Sequence, residues 1–356
     1  MTSSSSPESE KGPPAPRPLR RTPVREGPPR YAAVDVGTNS IRLLVVEAGP
    51  SGRLEPLLRL GDSCRLGQGL DAEGSISAEA EKRAGNTLTR FVRRARSLEP
   101  TAILVAATHA LRSATNGTEV AERLGRAAGV PVQILSAEEE ARLVYRAVRE
   151  AFALEELAEP CLVMDIGGGS VEMARGEGGQ VRAWQSLEVG CVRLSERFLL
   201  SDPPAAEEMA LLEQHVEQRL DAHPELFPDL QAAAGVGGTL TALAALDLGL
   251  ERYEASRVEG HWLSREAIRR WSEHLTGLST SEREVLHAVG EGRADIIVAG
   301  CAVVSAVLKR SGMPGLVVST QGLRYALARR LAEAGGAAVG SGPAPGSEPT
   351  PGPAGG

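Results

Sequence analysis

Two short acidic, glycine-rich turns constrain this chain more than any other feature: Asp35-Val36-Gly37-Thr38-Asn39-Ser40 and Asp165-Ile166-Gly167-Gly168-Gly169-Ser170. Each follows an apolar run that reads as a strand, Tyr31 to Val34 and Cys161 to Met164, and each leads into a second extended stretch. They read as one device used twice. A carboxylate ending a buried strand can hold a hydrated divalent cation, glycines bare their backbone N–H groups, and the Thr or Ser hydroxyl adds a donor for phosphate oxygens. The expectation is two similar halves with phosphoryl-transfer chemistry in the cleft between them.

Further short runs rich in Val, Leu, Ile or Ala, at Ala102–Ala106, Val132–Leu135, Ala232–Val236 and Leu316–Val318, suit sheet strands covered on both faces. Helical stretches separate them. In Ser77–Leu98, Ala84, Leu88, Phe91, Val92 and Ala95 recur at spacings of three and four and leave Arg90, Arg93 and Arg94 on a solvated face. The fold class is therefore α/β. A boundary falls near residues 150–158, giving a first domain over 31–153 and a second over 154–319. Residues 1–30, made of Ser, Pro and Arg, and residues 334–356, made of Gly, Ala and Pro, read as disordered tails. The Arg17, Arg20, Arg21, Arg25 and Arg30 series reads as part of a solvated extension.

Net charge is −7, so no global field draws the chain to nucleic acid or an acidic membrane, and a polyanionic substrate would need a local basic groove. The four cysteines, Cys64, Cys161, Cys191 and Cys301, have no CxxC spacing and suit reduced core thiols. With no apolar run of membrane-spanning length and no secretory pattern, the expected location is cytoplasmic.

Ser136 and Glu139 form a capping-box pattern, which commits Glu139 to the helix start. Measured from Glu140 at about 100° per residue, Leu143, Val144, Ala147 and Val148 fall within about 80° of it, while Glu138 and Glu139 point away. Glu140 thus sits on the buried stripe. An unpaired carboxylate there is costly, so it needs a partner or a water-filled cleft. A salt-bridged core glutamate and a general base for an attacking water are the two readings. A third turn, Gly235-Val236-Gly237-Gly238-Thr239, ends a strand and opens a helix, which suits either phosphate binding or close packing. In Ala107-Thr108-His109-Ala110-Leu111-Arg112, Arg112 can clamp a phosphate or serve an ordinary loop role, and His109 is assigned no catalytic part. P-loop, kinase and HExxH motifs are absent.

These motifs, with Glu139-Glu140-Ala141-Arg142-Leu143, Glu172, Ser186-Leu187, Gly190 and the segment from Gly292-Arg293-Ala294-Asp295 to Gly300, follow one another in an order that resembles the exopolyphosphatase and guanosine pentaphosphate phosphohydrolase family over residues 31–332. The resemblance implies an actin, sugar kinase and Hsp70-like fold, two ribonuclease H-like domains around a central cleft, with a helix at 320–333 returning to the first domain. It implies hydrolysis of terminal phosphate from inorganic polyphosphate, with pppGpp as the alternative substrate, aided by Mg2+ or Mn2+. Carried over, the catalytic glutamate falls on Glu140. The metal-linked acids fall on Asp35, Asp165 and Glu172, with Asp165 also counted as catalytic. The phosphate contacts fall on Gly37, Thr38, Asn39, Ser40, Arg112, Gly167, Gly168, Gly169, Ser170, Gly237 and Gly238. Val171 and Ala326 depart from the family pattern, which has Thr and Gly there. The chain resembles the short members that lack the extra C-terminal helical domain. Rival classes are a small-molecule kinase of the same fold and a non-catalytic guanosine-polyphosphate sensor. A homodimer is compatible with the sequence, though no feature calls for one.

Overall fold

The computed structural model describes residues 27–340 apart from 51, 153–156 and 291, with side chains as far as residue 335. Strand β1 (Arg30–Val36) and strand β6 (Cys161–Ile166) each have an unbroken run of buried residues, because each is the central strand of a sheet covered on both faces. Around β1 stand β2 (Ile41–Ala48), β3 (Leu54–Asp62), β4 (Ala102–Ala107) and β5 (Val132–Ile134), in the order β3-β2-β1-β4-β5. The β3-β2-β1 side is antiparallel and the β1-β4-β5 side parallel.

The second sheet repeats this plan. Strands β7 (Val171–Glu177), β8 (Gln180–Leu187) and β9 (Ala232–Gly237) join β6, with β10 (Trp262–Ser264) and β11 (Gly315–Val318), in the order β10-β11-β9-β6-β7-β8. Again the β6-β7-β8 side is antiparallel and the β6-β9-β11 side parallel, and β10 is an added antiparallel edge. This duplicated sheet is the actin, sugar kinase and Hsp70-like architecture.

Two helices lie between the sheets. Val144, Tyr145 and Val148 of the helix Ala137–Ala151 share one apolar cluster with Leu323, Tyr325, Leu327 and Ala328 of the helix Leu323–Gly340, and with Ala33 of β1 and Val163 of β6. Full burial of a side chain such as Val148 is worth roughly 1.5–3 kcal/mol, and from the same helix Glu140 reaches the cavity. Separate clusters hold the outer helices, Ala78–Arg96 and Gly117–Ala128 on the first sheet and Ile297–Ser311 on the second.

Three details depart from expectation. Arg30 opens β1 rather than ending a tail, since its side chain pairs with Glu47 at 2.9 Å across β2. The returning helix runs to Gly340 instead of stopping at 333, and at Gly335 the absent side chain lets it approach Tyr31, whose hydroxyl would stand 2.4 Å from an added Cβ. Glu139 leaves its capping box half made: Ser136 Oγ accepts the Glu139 N–H at 3.1 Å, but the Glu139 carboxylate goes to Arg330 at 2.6 Å because the returning helix passes beside it. The boundary expected between residues 153 and 154, and the tail positions 1–26 and 341–356, lie outside the described residues. All four cysteines are free and buried, and no helix among the described residues is long and apolar enough to cross a membrane.

Candidate active site

Both Gly-rich turns are tight hairpins between a central strand and its antiparallel neighbour. Gly37 N–H donates to Ser40 O at 3.0 Å in the first, and Gly167 N–H donates to Ser170 O at 3.0 Å in the second. The backbone N–H groups between them, on Thr38, Asn39, Gly168 and Gly169, donate to nothing among the described residues, which is how a backbone nest awaits an anion. The hairpins face each other closely. An added Cβ on Gly169 would lie 2.8 Å from Thr38 Oγ1, and one on Gly168 would lie 3.2 Å from the Asn39 nitrogen.

One cavity of about 420 Å³ is lined by Asp35, Gly37, Thr38, Asn39, Ser40, Glu140, Asp165, Gly167, Gly168, Gly169, Ser170, Glu172, Gly237 and Gly238. Every candidate site residue is there except Arg112. At the third turn Gly237 takes a φ of 107°, a left-handed-side value that demands glycine, and Gly238 begins the helix Gly238–Asp247 with its N–H groups toward the cavity. Thr239, by contrast, packs against Gly300, where an added Cβ would meet Thr239 Oγ1 at 2.3 Å.

Glu140 is only 5% exposed yet belongs to the cavity wall. Arg112 holds it: Nη1 donates to Glu140 Oε2 at 2.7 Å and to the Leu135 carbonyl at 3.1 Å. Burial, with Glu172 and Asp165 nearby, pushes the Glu140 carboxyl well above the usual range, and Arg112 pulls against this. Arg112 does not line the cavity; it pairs with Glu140 and comes near Glu172. Its Nη2 comes within 3.6 Å of Glu172 and has no hydrogen-bond partner among the described residues.

The three expected metal acids do not behave alike. Glu172 Oε1 accepts the hydroxyls of Ser170 and Ser186, each at 2.7 Å. Asp35 and Asp165 have no hydrogen bond or ion pair among the described residues. Burial pushes Asp165 up to about 7, with Glu172 and Asp35 adding to the shift, and burial also raises Asp35, with Arg42 and Arg324 opposing. No group of three or more His, Cys, Asp or Glu among the described residues is gathered closely enough to grip an ion. Of the expected trio, Glu172 is engaged by the serines and by Arg112, and Asp35 and Asp165 are the acids without a partner among the described residues. Two half-buried carboxylates, without partners among the described residues and lining one polar cleft, fit a hydrated divalent cation.

Residues 44–330 match the family described as the Ppx/GppA phosphatase family. The chain belongs to the Ppx/GppA phosphatase family. It is 34% identical to Exopolyphosphatase 2 of Mycobacterium tuberculosis over 319 residues, covering 85% of this chain and 98% of that protein. Exopolyphosphatase 1 of Mycobacterium bovis is 30% identical, with 85% of this chain and 88% of the relative aligned. Among solved structures, the Aquifex aeolicus Ppx/GppA family member superposes with a TM-score of 0.72 at 30% identity, over 86% of this chain and 98% of that one. An exopolyphosphatase from Cytophaga hutchinsonii gives 0.79 at 26% identity, over 86% and 98%.

This Ppx/GppA chain also lines its cavity with four arginines to which the sequence reading assigned no role: Arg42, Arg59, Arg293 and Arg324. Arg293 lies over Gly238, where an added Cβ would stand 2.5 Å from its Nη2. Burial and the neighbouring Arg42 pull Arg293 and Arg324 each down to about 10. Crowded, desolvated guanidinium groups of this kind form an anion site. The signals were present: Arg42 stands opposite Asp35 in any tight hairpin, and Arg293 lies in the Gly292-Arg293-Ala294-Asp295 motif.

His109 is buried, lines the same cavity and contacts Ser113 Oγ at 3.4 Å through Nδ1. Burial and Arg112 pull its pKa down to about 4. It is a neutral wall residue at neutral pH.

Proposed function

We propose that this chain is an exopolyphosphatase-type phosphoanhydride hydrolase that releases terminal phosphate from inorganic polyphosphate. The exopolyphosphatase relatives support that substrate class. The observation that carries the reading is Glu140, a buried carboxylate on the wall of the cavity that both hairpins line.

The terminal phosphates are bound by the unoccupied N–H groups of the two hairpins and by Arg42, Arg293 and Arg324. Glu140 orients a water and takes its proton as the oxygen attacks phosphorus in line with the leaving phosphate, while Arg112 keeps the carboxylate in place. Asp35 and Asp165 would hold Mg2+ or Mn2+, which when bound offsets negative charge on the phosphates. Positioning and electrostatics supply most of the barrier reduction. Since burial raises the Glu140 pKa and the base works ionised, activity rises with pH through that pKa.

Parallel phosphate-release assays on polyphosphates of several lengths and on pppGpp, with Mg2+ or Mn2+, test the reading. Release from polyphosphate is expected. Release from pppGpp alone would move the assignment to guanosine pentaphosphate, release from neither would end it, and a product that appears only with ATP would mark a kinase.

A further inference from the structure

Arg65 is the only one of the described arginines whose backbone takes a left-handed conformation, at φ 51°. A long side chain is strained there in a way Gly or Asn would largely avoid, so the surroundings must hold it. They do so on two sides. Its N–H donates to the Asn39 carbonyl at 2.8 Å, inside the first phosphate hairpin, and its guanidinium forms a two-pronged pair with Asp295, Nη1 to Oδ2 at 2.8 Å and Nη2 to Oδ1 at 2.9 Å. Asp295 belongs to the second half and stands two residues from Arg293. Further contacts join the same segments. Asn39 Nδ2 donates to the Gly292 carbonyl at 3.4 Å, and Gly292, with φ 67°, passes so near Ser63 that an added Cβ would come within 2.6 Å of it. From the opposite side, buried Arg283 donates to the Ala294 carbonyl at 2.6 Å.

We propose that Arg65 and Asp295 form an interdomain clamp that aims Arg293 at the substrate phosphates, so that this arginine grips an anion only while the first hairpin is docked against the Gly292–Asp295 turn. The inference rests on the proposed polyphosphate site. Arg65 and Asp295 are positioning residues, since neither lines the cavity. Arg293 does line it, and among the described residues its guanidinium has one hydrogen bond, from Nη1 to the Val289 carbonyl at 2.7 Å, and packs over Gly238 and beside Gly290. Its aim therefore follows the backbone of the turn, and the turn is pinned by Arg65 across the cleft and by Arg283 from within its own half. Removing the cross-cleft pin leaves the guanidinium present but misdirected.

The test is calorimetric binding of a non-hydrolysable, imido-linked triphosphate to the full chain. Arg65→Asn, which tolerates the left-handed backbone, and Asp295→Asn should each weaken binding about tenfold. The double variant should be no weaker than either single one, and the exchange Arg65→Asp with Asp295→Arg should recover most of the loss. In an Arg293→Met background, Arg65→Asn should have no further effect, an outcome a purely structural role would not give. Unchanged affinity in the single variants, or losses from Arg65→Asn and Arg293→Met that multiply, would overturn the clamp. A wild-type chain that binds the analogue but releases no phosphate would end the hydrolase reading and leave the clamp standing.

Discussion

The two phosphate hairpins share a scaffold and differ in charge. In both, an aspartate ends the central strand and the turn closes through the same 3.0 Å bond from glycine N–H to serine carbonyl. In the first, the residue paired across the strands from Asp35 is Arg42; in the second, the residue paired across from Asp165 is Glu172. One cross-strand position thus divides the labour. The first hairpin stands on the basic side, with Arg42 and Arg324 tempering Asp35, while the second gathers Asp165 and Glu172 near Glu140, where Glu172 raises the pKa of both Asp165 and Glu140 and Asp165 adds to the rise at Glu140. In the proposed mechanism, backbone geometry sets where the anion sits, and the cross-strand partner decides whether its surroundings are basic or acidic.

The largest expected effect comes from cutting the reacting side alone. Glu140→Gln should lower kcat by roughly 10²- to 10⁴-fold while substrate affinity, supplied by the hairpin N–H groups and the arginines, stays within a few-fold. Steady-state kinetics with equilibrium binding separates the two, and near-normal turnover would remove Glu140 as the base.

Next comes the comparison of the two aspartates. Asp165 has a pKa near 7 in the folded chain against 3.8 for a free side chain, so the folded state holds an extra proton between those values. Stability therefore falls as pH rises from about 4 to about 7, by up to roughly 4 kcal/mol. Asp165→Asn should abolish that loss and raise the melting temperature at pH 7.5 but not at pH 4, and it should remove most of the protection given by Mg2+. Asp35→Asn should gain less, because Arg42 and Arg324 already offset that charge. Equal gains would break the contrast between the halves.

A third comparison sets the packing around one hairpin against that around the other. An added Cβ on Gly169 would meet His109 Cδ2 at 2.1 Å, whereas one on Gly37 would meet the Ser40 carbonyl at 3.2 Å. His109 is buried and cannot swing away freely, so Gly169→Ala should destabilise by about 1–3 kcal/mol and Gly37→Ala by less than about 1 kcal/mol. Urea midpoints give the order, and a larger loss from Gly37→Ala would reverse it.

The strands, the duplicated turns and the buried place of Glu140 were legible because each is written in a local period: apolar runs of strand length, a turn grammar of Asp and Gly, and a helical stripe. Interactions between distant segments were not. Nothing near Arg112 announces Glu140 and Leu135 as its partners, since they lie just after β5 and on the next helix. Arg59, Arg293 and Arg324 come from three separated segments and meet only when the returning helix lies between the sheets. The partners of Glu172 were hidden for the same reason, because the Ser186 hydroxyl that donates to its oxygen arrives from β8. Glu139 was half right: its backbone obeys the local cap and its side chain obeys a tertiary partner.

The smallest expected effect is also the one that tests how the reacting side keeps its base ionised. Arg112 bridges Glu140 and the Leu135 carbonyl with one nitrogen and reaches toward Glu172 with the other, a geometry that needs a planar fork. Arg112→Lys keeps the positive charge but cannot span these acceptors together, so part of the field that lowers the Glu140 pKa is lost while burial and Glu172 continue to raise it. The acidic limb of the kcat profile should then move to higher pH by about one unit, with activity recovering at alkaline pH. A guanidinium whose main task was to bind phosphate would behave otherwise: KM would rise at every pH and the limb would stay in place.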